Sequence, residues 1–269
     1  MDKGQIFRAL HAAPGAFVIP NPWDIGTARL LESLGFKALA TTSAGFAFSR
    51  GLPDGGVGFE AMIHHCREMA AAVALPVSAD LEKGFGDAPS VVAETVRLAA
   101  EAGLVGCSIE DATGSKEKPL YDFAFAVDRV RAAVQAAREA GFPFMLTART
   151  ENFLRGNPDL ADTIKRLQAF ADAGADVLMA PGLPDLESVR KVCASVSKPV
   201  NFMAGLKGKS FSVGELEKAG VRRISLATSL YRAAMTGLVD AAREVKESGS
   251  FGYLDRSLAT PELAKFMVS

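Results

Sequence analysis

Cysteine and histidine are scarce in this chain, with three of each among 269 residues. Cys66, Cys107 and Cys193 stand far apart, form no CxxC pair and leave one over from any pairing. Neither a disulfide framework nor a zinc site of familiar spacing is therefore written here, and a reduced, cytoplasmic protein is expected. An excess of one charge is also missing: 30 Lys and Arg against 31 Asp and Glu leave a formal net charge of -1. With no basic run, the chain lacks the electrostatic footprint of a nucleic-acid or anionic-membrane binder. Long apolar stretches are absent too. The most apolar one, around Ala70 to Val77, is broken by Pro76 and falls far short of the ~20 residues that span a bilayer. The opening MDKGQIFRALHAAPG carries charges and glycine where a signal peptide needs its apolar segment. What remains is an ordinary globular composition, 49% hydrophobic and 23% charged, which suits a large α/β core.

One pattern recurs along the chain: a short apolar run, a loop, then an Ala-rich amphipathic stretch. The predicted strands are Ala16–Pro20, Ala38–Thr42, Pro76–Asp80, Gly106–Glu110, Phe144–Arg149, Asp176–Ala180, Pro199–Met203 and Arg223–Ala227. Predicted helices include Ile25–Leu34, Phe59–Ala74, Ser90–Ala102, Phe123–Ala140 and Asp159–Ala173. Gly35, Gly103, Gly141, Gly174 and Gly220 sit where a left-handed cap would end a helix ahead of a strand. Eight such units in this length predict a (β/α)8 TIM barrel, and the near-continuous apolar strands fit a parallel sheet covered by helices. An open doubly wound sheet is the alternative, but no nucleotide-binding Gly-rich turn follows the first strand. No linker divides the chain. We expect one barrel domain over 1–269, with 248–269 as a C-terminal helical extension containing a short helix near Pro261–Met267.

In this fold, chemistry sits at the C-terminal ends of the strands. There the sequence places Ser43, Ala44 and Gly45 with Asp54 after the second strand, Asp80 and Glu82 after the third, and Glu110 after the fourth. Arg149 follows the fifth strand and Asn201 lies on the seventh. Asp54, Asp80, Glu82 and Glu110 would crowd one rim, and such carboxylates cannot all stay ionised without a cation. Oxygen ligands favour Mg2+, with Mn2+ as a substitute; Mg2+ takes one or two carboxylates directly and keeps waters for the others. Arg149, expected opposite this acidic group, has a planar fork suited to a substrate carboxylate. The Ser43 hydroxyl and the amides of Ala44 and Gly45 could face an oxyanion.

Each residue has a plainer reading. An Asp at a strand end commonly caps a helix, Arg149 could simply pair with Glu110 or Glu151, and Asn201 or Ser43 could hold a loop. Asp111 and Glu151 are expected to be structural, His64 and His65 to be surface or packing residues, and Cys107 to be inert in the core. Joint occurrence at successive strand ends favours a site.

At these residues the chain resembles the isocitrate lyase/phosphoenolpyruvate mutase superfamily, in its divergent phosphonomutase-like branch. The markers are TTSAGFAFSRGLPDGG (41–56), SADLEKGFGD (78–87), GCSIED (106–111) and TARTENFLRG (147–156), within a likeness running from Asn21-Pro22-Trp23-Asp24 to Arg222-Arg223-Ile224-Ser225. The resemblance implies a TIM barrel whose last helix is swapped between subunits of a homodimer or homotetramer. It implies that Asp80 binds Mg2+ directly while Asp54, Glu82 and Glu110 act largely through water. Ser43, the neighbouring amides and Arg149 would hold a 2-oxocarboxylate. Departures bear on the reaction. Asp80-Leu81-Glu82 stands where the family has Asp-x-Asp. The 111–121 loop lacks the Cys and His of the lyases and the Lys-x-Asn of the mutases, and Ala180-Pro181-Gly182 replaces a Glu after the sixth strand.

The expected activity is thus Mg2+-dependent and lyase-like: a small 2-oxo acid cleaved at a C–C bond, or decarboxylated as oxaloacetate is, through an enolate. Asp54, Arg149 and Ser43 form the catalytic set. One alternative is a P–C bond enzyme, such as a phosphonopyruvate hydrolase or phosphoenolpyruvate mutase, which would turn Arg50, Lys116 and Lys118 toward a phosphonate. Another is a non-catalytic 2-oxo acid binding protein.

Overall fold

The computed structural model describes residues 2–267; Met1 and the last two residues of the predicted 248–269 extension lie outside them. Eight short strands form one parallel sheet: β1 (Phe17–Ile19), β2 (Leu39–Ala40), β3 (Val77–Asp80), β4 (Gly106–Glu110), β5 (Met145–Arg149), β6 (Val177–Met179), β7 (Val200–Met203) and β8 (Arg223–Ser225). Their order is β1-β8-β7-β6-β5-β4-β3-β2. The Ala40 N–H donates to Pro20 O at 3.0 Å and brings the two ends of the order together. The Asn21 side chain completes that seam, donating to Thr41 O at 2.9 Å and accepting from the Leu226 N–H at 2.8 Å. The result is the expected (β/α)8 barrel. Most strands stop a residue or two inside their predicted bounds, because the terminal residues leave the ladder to face the barrel mouth or a loop.

The helices are α1 (Lys3–Ala12), α2 (Ile25–Ser33), α3 (Ser43–Ser49), α4 (Phe59–Ala72), α5 (Pro89–Glu101), α6 (Phe123–Arg138), α7 (Leu160–Asp172), α8 (Leu186–Ser195), α9 (Val213–Lys218), α10 (Ser229–Ser248) and α11 (Thr260–Lys265). All five helix-ending glycines named above have positive φ. α1, absent from the expected elements, starts at an Asp2 cap on the Gln5 N–H, 2.8 Å away. Its Phe7 is fully buried with Ile19, Ala38, Val105, Met145 and Val177. All of these but Ile19, which ends β1, lie at or near strand starts, so α1 closes the base of the barrel. Gly106 sits in the same layer, where a Cβ would lie 2.6 Å from Met145 O.

α10 has no buried residue along its 20 residues. Leu238, Val239, Val245, Phe251, Leu254 and Leu258 are exposed on it and just beyond. Among the described residues, no helix is long and apolar enough to cross a membrane.

Candidate active site

The strand ends enclose a cavity of about 760 Å3 lined by Ser43, Ala44, Asp54, Asp80, Glu82, Glu110, Arg149 and Asn201. Gly45 is not in that lining. Thr42 caps α3 by accepting the Gly45 N–H at 3.2 Å, so the amide expected to face an oxyanion is already taken by the helix cap. The cap also explains the unexpected α3: Thr42 starts it, and small residues pack it closely beneath the rim.

Asp80 ends β3 with half-buried carboxylate oxygens. The Ser43 hydroxyl donates to its Oδ2 at 2.7 Å, and the Ser108 hydroxyl to its Oδ1 at 3.3 Å. Its own N–H donates to the Thr41 hydroxyl at 3.1 Å. Two residues on, Glu82 holds φ at 51°, a left-handed conformation uncommon outside glycine and found where local structure imposes it. Its carbonyl accepts the Glu110 N–H at 2.9 Å, so that turn ties β3's loop to β4.

Three of the rim carboxyls are raised, by burial first and by neighbouring carboxylates second. Burial, then Asp80 and Asp54, push the Glu82 carboxyl up to about 7. Asp54, on an exposed stretch of its loop, is raised by partial desolvation and by Asp80. Burial holds Glu110 well above the usual carboxylate range despite the attraction of Arg149.

Arg149 stands beside Glu110 in the β4–β5 register, rather than across the barrel as expected. Its Nε donates to Glu151 Oε1 at 2.6 Å and lies 3.4 Å from Glu110 Oε2; its Nη1 is 3.9 Å from Asp80 Oδ1. Burial alone would lower its pKa, but Glu110, Glu151 and Asp80 hold it above the ordinary value. Glu151 is thus the residue that orients the fork. It is fixed in turn by Asp111, which accepts the Glu151 N–H at 2.8 Å, the Thr150 hydroxyl at 2.9 Å and Arg166 Nη1 at 3.1 Å. Asp111 is 3% exposed and Arg166 8%.

Arg155 was not singled out from the sequence. It lines the cavity, is exposed, and reaches Glu151 Oε2 at 3.2 Å and Glu110 Oε1 at 3.6 Å. The readable signal was its place four residues after Glu151. Asn201 is buried and donates to the Ser225 hydroxyl at 2.9 Å. His65 is buried and stacked on Phe46 at 3.8 Å, His64 is exposed, and Cys107 is fully buried.

The 111–121 loop folds over the mouth through an Ala112–Leu120 bridge, and its Thr113 and Gly114 line the cavity. Lys83 joins it to the β3 loop by donating to Thr113 O at 2.9 Å. Beneath, the Arg129 guanidinium donates to the carbonyls of Lys83, Gly86 and Asp87 and lies 4.2 Å from the Tyr121 ring centroid. The three cations expected to face a phosphonate lie elsewhere, although Lys83, Arg149 and Arg155 do line the cavity. Lys118 pairs with Asp122 at 2.5 Å, Lys116 is exposed, and Arg50 lies over the Phe46 ring; none of the three lines the cavity.

This barrel and rim agree with what the chain resembles. Residues 7–246 match the model of the phosphoenolpyruvate phosphomutase family, and the chain belongs to that family, within the isocitrate lyase/phosphoenolpyruvate mutase superfamily of lyases and mutases. It is 31% identical to a 2-methylisocitrate lyase of Salmonella typhimurium, covering 86% of this chain and 81% of that one. A crystal structure of a Burkholderia cenocepacia J2315 protein designated a lyase/mutase superposes with a TM-score of 0.97 at 52% identity, covering 99% and 96% of the two chains. An oxaloacetate acetylhydrolase in complex with its product oxalate superposes at 0.89 with 26% identity, covering 98% and 94%.

Proposed function

We propose that the protein is a Mg2+-dependent, lyase-like enzyme that cleaves or decarboxylates a small 2-oxo acid through an enolate. One observation carries this reading: four carboxylates, a serine hydroxyl and an arginine fork from successive strand ends share one cavity. Among the described residues no three acidic, His or Cys side chains stand close enough to hold an ion between them. An ion here would be taken directly by Asp80, with Asp54, Glu82 and Glu110 reached through water, and oxygen donors suit Mg2+ or Mn2+ better than zinc. The raised carboxyls of Asp54, Glu82 and Glu110 beside Asp80 are the electrostatic signature such a cation relieves. When bound, the cation would chelate and polarise the 2-oxo acid.

The chain's own residues then do the positioning. Arg149, held by Glu151, offers its fork to the substrate carboxylate. Ser43 keeps Asp80 in one rotamer and, with the Ala44 backbone, faces the oxygen on which negative charge develops. Asp54, with a raised pKa above the cavity, is placed to exchange a proton with the product enolate. The oxaloacetate acetylhydrolase and 2-methylisocitrate lyase among its relatives are consistent with a C–C reaction. The placement of Arg50, Lys116 and Lys118 outside the cavity favours it over the P–C alternative, which a Burkholderia cenocepacia J2315 structure designated a phosphonomutase, 37% identical, keeps as the second reading. The exposed apolar residues of α10 and the segment after it support a C-terminal helix swapped between subunits of a homodimer or homotetramer.

The test is calorimetric titration with oxalate, which mimics the pyruvate enolate, with and without Mg2+, on the wild type and Asp80→Ala. Mg2+-dependent binding lost in Asp80→Ala is expected, with turnover then sought on oxaloacetate and methylisocitrate. Binding without turnover on any 2-oxo acid would instead favour a binding protein, and no binding at all would refute the site.

A further inference from the structure

Arg223 opens β8, is 5% exposed and lines the cavity from below. Its Nε donates to Asn201 Oδ1 and its Nη2 to Thr147 Oγ1, each at 2.8 Å, while Nη1 lies 3.4 Å from His11 Nε2. All three partners are neutral. Burial first, and the Arg223 charge second, push the His11 imidazole down to about 3, so it stays uncharged. Arg149 and Arg155 face carboxylates; burial lowers the Arg223 pKa to about 9, with no acidic neighbour opposing it. A guanidinium has five N–H groups, and at most three are directed at these partners. A buried charge without a counter-ion is costly and is retained where something else supplies the opposite charge.

The barrel interior leaves room for that something. Ser78, Ser108, Thr147 and Ser225 point small polar side chains inward, and the cavity reaches past them to Arg223. Thr147 precedes Arg149 by two residues on β5, so the guanidinium bound to it lies ~6–7 Å below the Arg149 level. The terminal carboxyl carbons of an extended four- or five-carbon diacid are ~4–5 Å apart at ordinary bond lengths. A charge-assisted hydrogen bond of ~2.8 Å covers the remainder.

We propose that the cavity floor is an anion subsite in which Arg223 receives the distal carboxylate of a four- or five-carbon 2-oxo dicarboxylate held at its other end by the rim. This rests on the reading of the rim as a 2-oxo acid site. Arg223 then selects dicarboxylates over monocarboxylates of the same length, and Asn201 and Thr147 hold its fork in place.

The experiment compares dissociation constants in competition with oxalate for two pairs differing only in the distal group: oxaloacetate with 2-oxobutyrate, and 2-oxoglutarate with 2-oxopentanoate. The wild type should favour at least one dicarboxylate by about tenfold or more. Arg223→Gln should abolish that preference while changing the oxalate constant less than twofold. Asn201→Asp, which sets an internal carboxylate against the fork, should also abolish it and raise Tm; it decides the matter if Arg223→Gln does not fold. No preference in the wild type, or a preference surviving both variants, overturns the floor subsite. Failure of oxalate itself to bind the wild type sinks the rim reading instead, which the two outcomes keep separate.

Discussion

Replacing Arg166 by Met tests whether the β5 end is held by a buried ion pair. Arg166 lies 3.1 Å from Asp111 Oδ2, donates to Tyr121 O at 3.1 Å and reaches Asp162 at 3.0 Å. The variant strands the Asp111 carboxylate on two neutral donors, the Thr150 hydroxyl and the Glu151 N–H. Removing one partner of such a pair costs about 3–5 kcal/mol, or a fall in Tm of roughly 6–20 °C for a chain of this size. Burial already raises the Asp111 carboxyl, and losing Arg166 raises it further. A carboxyl raised on folding contributes stability that is present below its unfolded pKa and lost as pH rises through the folded one. The deficit should therefore be small near pH 4 and full at pH 8. Thermal and urea denaturation across that range measure it, with the Asp111→Asn/Arg166→Met double variant as control, expected to recover part of the loss. A deficit below about 1 kcal/mol at pH 8, or one independent of pH, would refute the argument.

Glu151→Gln should keep the fold but loosen the Arg149 fork, raising KM for a 2-oxo acid about tenfold through one lost charge-assisted bond; an unchanged KM means that Glu110 alone holds the fork. Because Glu82 is raised to about 7, the metal-free protein should lose stability as pH rises from 5 to 8. Mg2+ should restore it, with apparent Mg2+ affinity climbing up to about tenfold per unit toward pH 7 and levelling above; scans in Mg2+ and in chelator check both. Gly106→Ala would press a methyl onto Met145 O and should cost about 1–3 kcal/mol, read as a lower denaturant midpoint at unchanged slope.

Much of the barrel was legible because its strands are short apolar runs bounded by glycine-ended helices, a pattern few folds repeat eight times. The acidic rim was legible for the same reason, since Asp80, Glu82 and Glu110 fall at strand ends that must face one mouth. The side of the barrel taken by Arg149 was misread, although neighbouring parallel strands alone place it beside Glu110. α3 went unseen because its signal is a Thr42 cap on a run of small residues with little periodicity. Arg155 gave only an i,i+4 relation to Glu151, and such relations are common on solvated faces. Nothing local marks Arg223 as a charge without a carboxylate, because that depends on what every other strand places around it.

The bareness of α10 has a consequence in time rather than in space. No side chain of α10 is fully buried. Its first turn leans on the barrel through Leu230, Tyr231 and Arg232, and the rest is held mainly by hydrogen bonds along the helix, without the packed face that supplies most helical stability in proteins. In a lone subunit the amide protons beyond that first turn should trade with deuterium almost as freely as those of a peptide, while those of β4 and β5 wait for rarer openings. Slow exchange along α10, growing with protein concentration, would therefore record contact made from outside the chain, without any substrate in the tube.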